Sequence, residues 1–315
     1  MDMEDKKIPV IIDTDPGVDD ALAIMIAAAS DKIDLLGITP VDGNVSAVFT
    51  HKNALNLVSF LGIDADVAEG GYDQLVYRYG RYASSHGAEG MGGVELPQSD
   101  RKFHELRAWD YIYEKAKEHN GELVIIAIGP LTNIARTLIM HPDIKPMIKK
   151  IVMMGGSTER GNVTPYAEFN FIVDPPAAKV VFESGIPLVM AGLNVTLKTG
   201  ISFDFIGSLA KESGSKIGGM LNELIHGYSD VNINKEGEKS SVVHDAIAVA
   251  YVIDPTKLET EEDRIEIQTE RFCEGTWGQS KVVSGEPNCT VITDIDMDYY
   301  RQLYRDTVEH FSNLK

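Results

Sequence analysis

The chain reads as an α/β protein with an open, mostly parallel central sheet and helices on both faces. Three observations carry that reading. Short apolar runs of strand length alternate with longer segments of helical character from Val10 onwards. Turn-forming and polar residues close nearly every apolar run. An apolar content of 43% is enough to fill a sizeable core.

The first strand is the run Val10-Ile11-Ile12, closed by a Pro16-Gly17 turn and followed by an apolar helix from Ala21 to Ala29. Leu35 to Val41 forms the next strand, and Ser46 to Leu61 a helix. Leu123 to Ile128 is an apolar strand closed by Gly129-Pro130, with a helix from about Leu131 to Met140. Lys150 to Met154 is a strand ended by Gly155-Gly156. Pro175 to Ser184 is a helix with proline in its first turn, as helices favour. Leu188 to Gly192 is a further strand, and Ala246 to Ile253 an apolar helix. Lys281-Val282-Val283 and Thr290-Val291-Ile292 are short strands before a final helix around Met297 to Leu314. Two stretches break the rhythm: Gly70 to Arg107, rich in Gly, Tyr and charge, and the polar Gly227 to Ser241, which carries Asn232, Asn234 and Lys235 to Lys239. Long loops of this kind are usually functional or disordered, and both are expected to be either mobile rims near a pocket or solvated surface loops with no role.

Bulk properties exclude several classes. With 48 acids against 29 bases the formal net charge is −19, which opposes binding to nucleic-acid backbones or anionic membranes. Cys273 and Cys289 form neither a metal-ligand spacing nor a disulfide framework, so a reduced, cytoplasmic setting is expected. The N-terminus has no secretory pattern, and the run Ala21 to Ala29 is too short to span a bilayer. No linker or repeat divides the 315 residues, and a single catalytic domain over 1–315 is expected.

The most informative segment is Asp13-Thr14-Asp15-Pro16-Gly17-Val18-Asp19-Asp20, four carboxylates within eight residues at the end of a strand. Capping of the following helix accounts for one or two of them. The rest repel one another unless a hard cation sits among them, since such ions take oxygen ligands. Other polar clusters follow other strands: Asp42-Gly43-Asn44, Thr132-Asn133, Gly161-Asn162, Glu168-Phe169-Asn170 and Asn194, with His244-Asp245 opening the Ala246 helix. Each alone is ordinary turn or cap chemistry. Together they fall on one edge of a parallel sheet, where open α/β proteins bind ligands. Carboxylates and amides suit a small, hydroxyl-rich ligand. A phosphate pocket would need Gly-rich amides with Lys or Arg, and no such run is present.

In this order the clusters resemble the nucleoside hydrolase family of the inosine–uridine-preferring type. The resemblance runs from about Ile8 to Pro255 and rests on Asp13 to Asp20, Val41-Asp42-Gly43-Asn44, His86-Gly87-Ala88-Glu89-Gly90, Gly129-Pro130-Leu131-Thr132-Asn133, Ala167-Glu168-Phe169-Asn170 and Val243-His244-Asp245. It implies the Rossmann-like sheet of that family and Ca²⁺-dependent hydrolysis of the N-glycosidic bond of purine or pyrimidine ribonucleosides, as in nucleoside salvage. It further implies that Asp15, Asp20 and Asp245 bind Ca²⁺ through carboxylates and Thr132 through its backbone carbonyl. Asp15 would deprotonate the attacking water beside Asn44. Asp19 and Asn170 would bind ribose hydroxyls, Asn162 and Glu168 the 5′-hydroxyl, Met154 the sugar, and Phe169 the sugar and base. His244 would protonate the departing base, with Tyr228 as the candidate aromatic hydroxyl beside it. The family is commonly homodimeric or homotetrameric. Asp42 stands where relatives are often apolar, and is expected either to alter the pocket or to face solvent.

Two other readings stay open on sequence. A haloacid-dehalogenase-type phosphatase also places Asp-x-Asp after its first strand, but Pro16 and Gly17 misfit its motif. A Ca²⁺-dependent riboside-binding protein without catalysis would need the same ligands.

Overall fold

The structure is a computed structural model that describes residues 6–76, 79–80, 82–228, 231–233, 238–270 and 275–312. In chain order its elements begin with β1 (Ile8–Thr14), α1 (Val18–Ala29), β2 (Ile33–Pro40), α2 (Ala47–Leu61) and β3 (Asp66–Val67). There follow α3 (Ala108–His119), β4 (Leu123–Ala127), α4 (Thr132–Met140), β5 (Ile148–Met154), α5 (Phe169–Val173), α6 (Pro175–Phe182) and β6 (Leu188–Ala191). Next come α7 (Leu193–Thr196), β7 (Gly200–Ser202), α8 (Phe203–Ser213), α9 (Lys216–Gly227), β8 (Val231–Ile233), β9 (Lys239–Val242) and α10 (Ala246–Ile253). The last are β10 (Leu258–Ile267), β11 (Ser280–Val283), β12 (Cys289–Ile295) and α11 (Met297–His310).

Nine strands form one sheet in the order β11-β10-β12-β6-β5-β4-β1-β2-β3. From β12 to β3 every neighbouring pair is parallel, and β10 pairs antiparallel with both β12 and β11. The alternation of strand side chains divides the core between the two faces. Val10, Ile12, Val124, Ile126, Val152 and Met154 pack with residues of α1, α2, α9, α10 and α11. Ile11, Leu123, Ile125, Ala127, Ile151 and Met153 pack with residues of α3, α4 and α6. Helices therefore cover both faces, as the sequence implies.

The strand order reverses at β1. The chain runs from β1 outward through β2 to β3, then returns to β4 on the other flank of β1. The crevice at the carboxyl ends of β1 and β4 is thus the topological switch point, where such sheets bind ligands. Asp13 to Asp20 leaves β1 there, and the Gly129 to Thr132 turn leaves β4 there.

Several elements depart from the sequence expectation. The segment after Arg107 forms α3, which buries Ala108, Tyr111, Ile112 and Ala116 on one helical stripe. The stretch Gly227 to Ser241 is not simply loop: β8 and β9 join β7 in a small antiparallel sheet. Asn234, Lys235 and Cys273 lie outside the described residues, while Cys289 is a free, buried thiol. Among the described residues no helix is long and apolar enough to cross a membrane.

Candidate active site

Asp20 is the acid that capping explains. It is the third residue of α1, and its carboxylate accepts from the Gly17 N–H at 2.9 Å, the Asp15 N–H at 3.2 Å and the Thr14 hydroxyl. Asp13 is a tie within the scaffold: Thr39 Oγ1 and Asn133 Nδ2 donate to its Oδ2 at 2.6 and 2.9 Å. Burial pushes the Asp13 carboxyl up to about 7.

Asp15 is different. One oxygen accepts the Asn44 N–H at 2.6 Å, but Oδ1 is buried without a hydrogen-bond donor. Two glycines make room for this carboxylate. A Cβ on Gly43 would run into Asp15 Oδ2, and one on Gly129 would lie 2.7 Å from Oδ1. Asn44 completes the clasp, its Nδ2 donating to Asp20 Oδ2 at 2.9 Å and to the Asp15 carbonyl at 3.2 Å.

The carboxylates of Asp19, Asp20 and Asp245 each bring one oxygen within 4.8 Å of the others, and all three residues are buried. Asp245 enters from the far end of the sequence, as the residue before α10, which packs on α1. Burial raises the carboxyls of Asp15, Asp20 and Asp245; repulsion from Asp19 and Asp20 raises Asp15 and Asp245 further, and repulsion from Asp19 raises Asp20, which reaches about 6. Such a group of oxygens fits a hard cation: it is anionic and crowded, and the neighbouring Asp15 Oδ1 awaits a partner. Asp15 itself lies beside this trio rather than within it. Thr132 sits at the start of α4, its hydroxyl donating to Asp174 at 2.7 Å.

Above the acids opens a cavity of about 330 Å³, at the small end of the roughly 300–1,000 Å³ usual for small-ligand sites. Asp19, Asn44, Met154, Asn162, Glu168, Phe169, Asn170, Tyr228, His244 and Asp245 all line it, so most of the residues named from sequence converge on one space. Among the described residues no Lys or Arg lines it. Glu168 caps α5: its carboxylate accepts the backbone N–H groups of Gly156, Asn170 and Phe171 at 2.8, 2.9 and 3.3 Å, and burial nonetheless raises its carboxyl. Asn170 Nδ2 donates to the Ile128 and Met154 carbonyls, which fixes the amide's orientation.

Three findings differ from the sequence reading. The hydroxyl bonded to His244 Nδ1 is that of Thr196, at 2.7 Å, whereas Tyr228 donates its hydroxyl to Asp19 Oδ2 at 3.1 Å. Asp42 neither lines the cavity nor faces solvent. It is buried, with Oδ1 accepting the Ala47 N–H and Oδ2 accepting Gln74 Nε2. Asn194 and Asn133 serve the scaffold, Asn194 donating to Ile292 of β12 and Asn133 tying Asp13 to Gly71. The sequence reading also assigns no role to His86 or to Tyr79, Tyr82, Ser84 and Ser85, which form one wall of the cavity. His86 Nδ1 lies 3.1 Å from the Val18 backbone nitrogen and 3.7 Å from Asp19 Oδ1, which ties this wall to the start of α1 and to the acids. The density of tyrosine between Gly70 and Arg107 is the available signal for this wall.

Residues 10–302 match the model of the inosine-uridine preferring nucleoside hydrolase family. The chain is 37% identical to the pyrimidine-specific ribonucleoside hydrolase RihB of Shigella sonnei over 313 residues, 98% of this chain and 99% of that one. Among solved structures it is similar to a plant nucleoside hydrolase, PpNRh1, with a TM-score of 0.88 and 30% identity over 98% of this chain and 100% of that one. It is also similar to a purine-preferring ribonucleoside hydrolase from Gardnerella vaginalis, with a TM-score of 0.85 and 32% identity over 97% and 98% of the two chains.

Proposed function

The chain belongs to the inosine-uridine preferring nucleoside hydrolase family, and from that premise we propose that it hydrolyses the N-glycosidic bond of ribonucleosides with the help of one Ca²⁺. The observation that carries this reading is the buried trio Asp19, Asp20 and Asp245, of which Asp19 and Asp245 line a cavity with aromatic and amide walls. Carboxylates pair with ribose hydroxyls. Aromatic faces suit a planar base.

Asp15, Asp20, Asp245 and the Thr132 carbonyl would hold the ion, and ribose hydroxyls with water would bring the oxygen count to the six to eight that Ca²⁺ prefers. When bound, the ion supplies positioning of the sugar and a lowered pKa for water at the floor of the site. Asp15 is the base in this reading. Its Oδ1 is poised without a donor, and Asn44 fixes its other oxygen. Asp19 and Asn170 bind the ribose hydroxyls, Asn162 and Glu168 the 5′-hydroxyl, and Met154 and Phe169 pack against the sugar. Bond cleavage builds positive charge on the ribose, which the surrounding carboxylates stabilise in a water-poor site. His244 gives a proton to the departing base, its ring oriented by the Thr196 hydroxyl. Tyr228 orients Asp19. A cytoplasmic, homo-oligomeric enzyme of a single domain is part of the same reading.

The relatives divide between pyrimidine-specific and purine-preferring enzymes, so similarity alone does not choose the base. The test is a panel of natural ribonucleosides assayed for ribose release with and without a chelator. Chelator-sensitive release is expected. Tight riboside binding with no release would favour a binding protein, and phosphate release from phosphomonoesters would favour the phosphatase.

A further inference from the structure

We propose that Asp42 and Gln74 form a tether of fixed hydrogen-bond polarity that holds the aromatic rim over the cavity, and that both are positioning residues for nucleoside binding. The inference rests on the function just proposed for what the rim touches, and on geometry for the tether itself.

Among the described residues of the wall, Tyr79, Ala83 and His86 contact the scaffold; His86 does so at the Val18 N–H, and the other two through their own backbone donors. The Ala83 N–H donates to the Asn44 carbonyl at 3.0 Å, and the Tyr79 N–H donates to Gln74 Oε1 at 3.2 Å. Gln74 is buried, and its Nε2 donates to Asp42 Oδ2 at 2.9 Å. The other oxygen of Asp42 accepts the Ala47 N–H, at the start of α2, at 2.8 Å. Both backbone attachments lead back to the short turn 42–44, whose Asn44 also clasps Asp15 and Asp20. The height of the rim is thereby referred to the same turn that positions the acids.

The chain of donors and acceptors admits one polarity. A backbone N–H can only donate, so Tyr79 requires the oxygen of the Gln74 amide. That turns the Gln74 nitrogen, a donor, toward residue 42. Ala47 likewise presents a donor to residue 42. A side chain set between two donors must accept on both of its atoms, which a carboxylate does and an amide of the same size does not. This explains an acid at a position that is neither in the cavity nor in solvent. It also yields an exchange test. In D42N the new amide keeps the Ala47 bond through its oxygen, and its nitrogen meets the Gln74 nitrogen, donor against donor. In Q74E alone, two carboxylates face each other. With both changes, the new amide at position 42 donates to one oxygen of the new carboxylate at position 74, and the other oxygen accepts from Tyr79.

The experiment compares D42N, Q74E and the D42N/Q74E double variant of the full chain with the unaltered protein. Two quantities are read: hydrogen exchange of the Tyr79 amide, and KM and kcat for a ribonucleoside, alongside inhibition by free ribose. Each single change should speed Tyr79 exchange and raise KM by about tenfold, the size of one lost buried hydrogen bond. Inhibition by ribose, which does not reach the rim, should hold, and kcat should stay within about threefold. The double variant should recover both exchange and KM. Q74M, which removes the acceptor at similar volume, should reproduce the single-variant losses and serves if D42N does not fold. Unchanged exchange in the single variants, or losses that add in the double variant, would overturn the tether. If the unaltered chain hydrolyses no ribonucleoside, the functional reading fails by itself, and Tyr79 exchange still decides the tether.

Discussion

Asp15 gains its reach from what its neighbours lack. Gly43 and Gly129 leave its carboxylate room, and Asn44 satisfies one oxygen while the other has no donor. Replacing Asp15 by Ala should abolish turnover and weaken cation binding, read together by steady-state assay and calorimetric titration; a near-normal kcat would remove Asp15 from the chemistry. Gly43→Ala tests the position rather than the group. Its new methyl displaces the Asp15 carboxylate, and a misplacement of about 1 Å can cost about 100-fold in rate. A loss of that size with an unaltered thermal midpoint is expected. His244→Ala should lower kcat by roughly 10²–10⁴ on nucleosides with poor leaving groups and spare an activated aryl riboside. Equal losses on both substrates would make His244 structural.

At the scale of elements, the legible parts are those whose sequence period is complete within the segment. β4 is an unbroken apolar run, and β1 and β5 carry the apolar runs Val10 to Ile12 and Ile151 to Met154, because both faces of the sheet are covered there; all three emerge as expected. β10 is not visible in the sequence. Its stretch Glu259 to Asp263 is acidic and largely solvent-facing, and its place in the sheet comes from backbone pairing with β12 and β11. Helix α8 carries a single fully buried side chain, Ile206, so its apolar stripe is faint in sequence. The residues of the cavity floor are legible because they belong to dense local motifs. Thr196 is not, because its meaning depends on α7 meeting the start of α10 across 48 positions. That contact makes its own prediction. Thr196→Val keeps the volume and loses the hydroxyl, so kcat for natural nucleosides should fall by about tenfold with little change in KM. An equal fall for the aryl riboside would show a general packing effect instead.

For the whole molecule, the acid site opposes the fold that contains it. Asp13 and Asp20 titrate near 7 and near 6 when folded, against about 4 in an unfolded chain. Folded protein therefore holds these protons more tightly, and without a cation the contribution of these two groups to stability is full in acid and declines as pH climbs from about 4 to about 7. The net charge of −19 adds in the same direction. Ca²⁺ should offset the part of the decline that belongs to Asp20 and its neighbours. Its addition is expected to raise the thermal midpoint far more at pH 7 than at about pH 4.5, and an equal rise at both would disconnect the ion from these acids. The meeting of Asp20 with Asp245 has a temporal side as well. A growing chain still on the ribosome has Asp15, Asp19 and Asp20 long before it has Asp245, so on the proposed function ion capture would wait until α10 has emerged and docked on α1. Loading with calcium would then mark a finished molecule, and half-made chains would compete poorly for the ion.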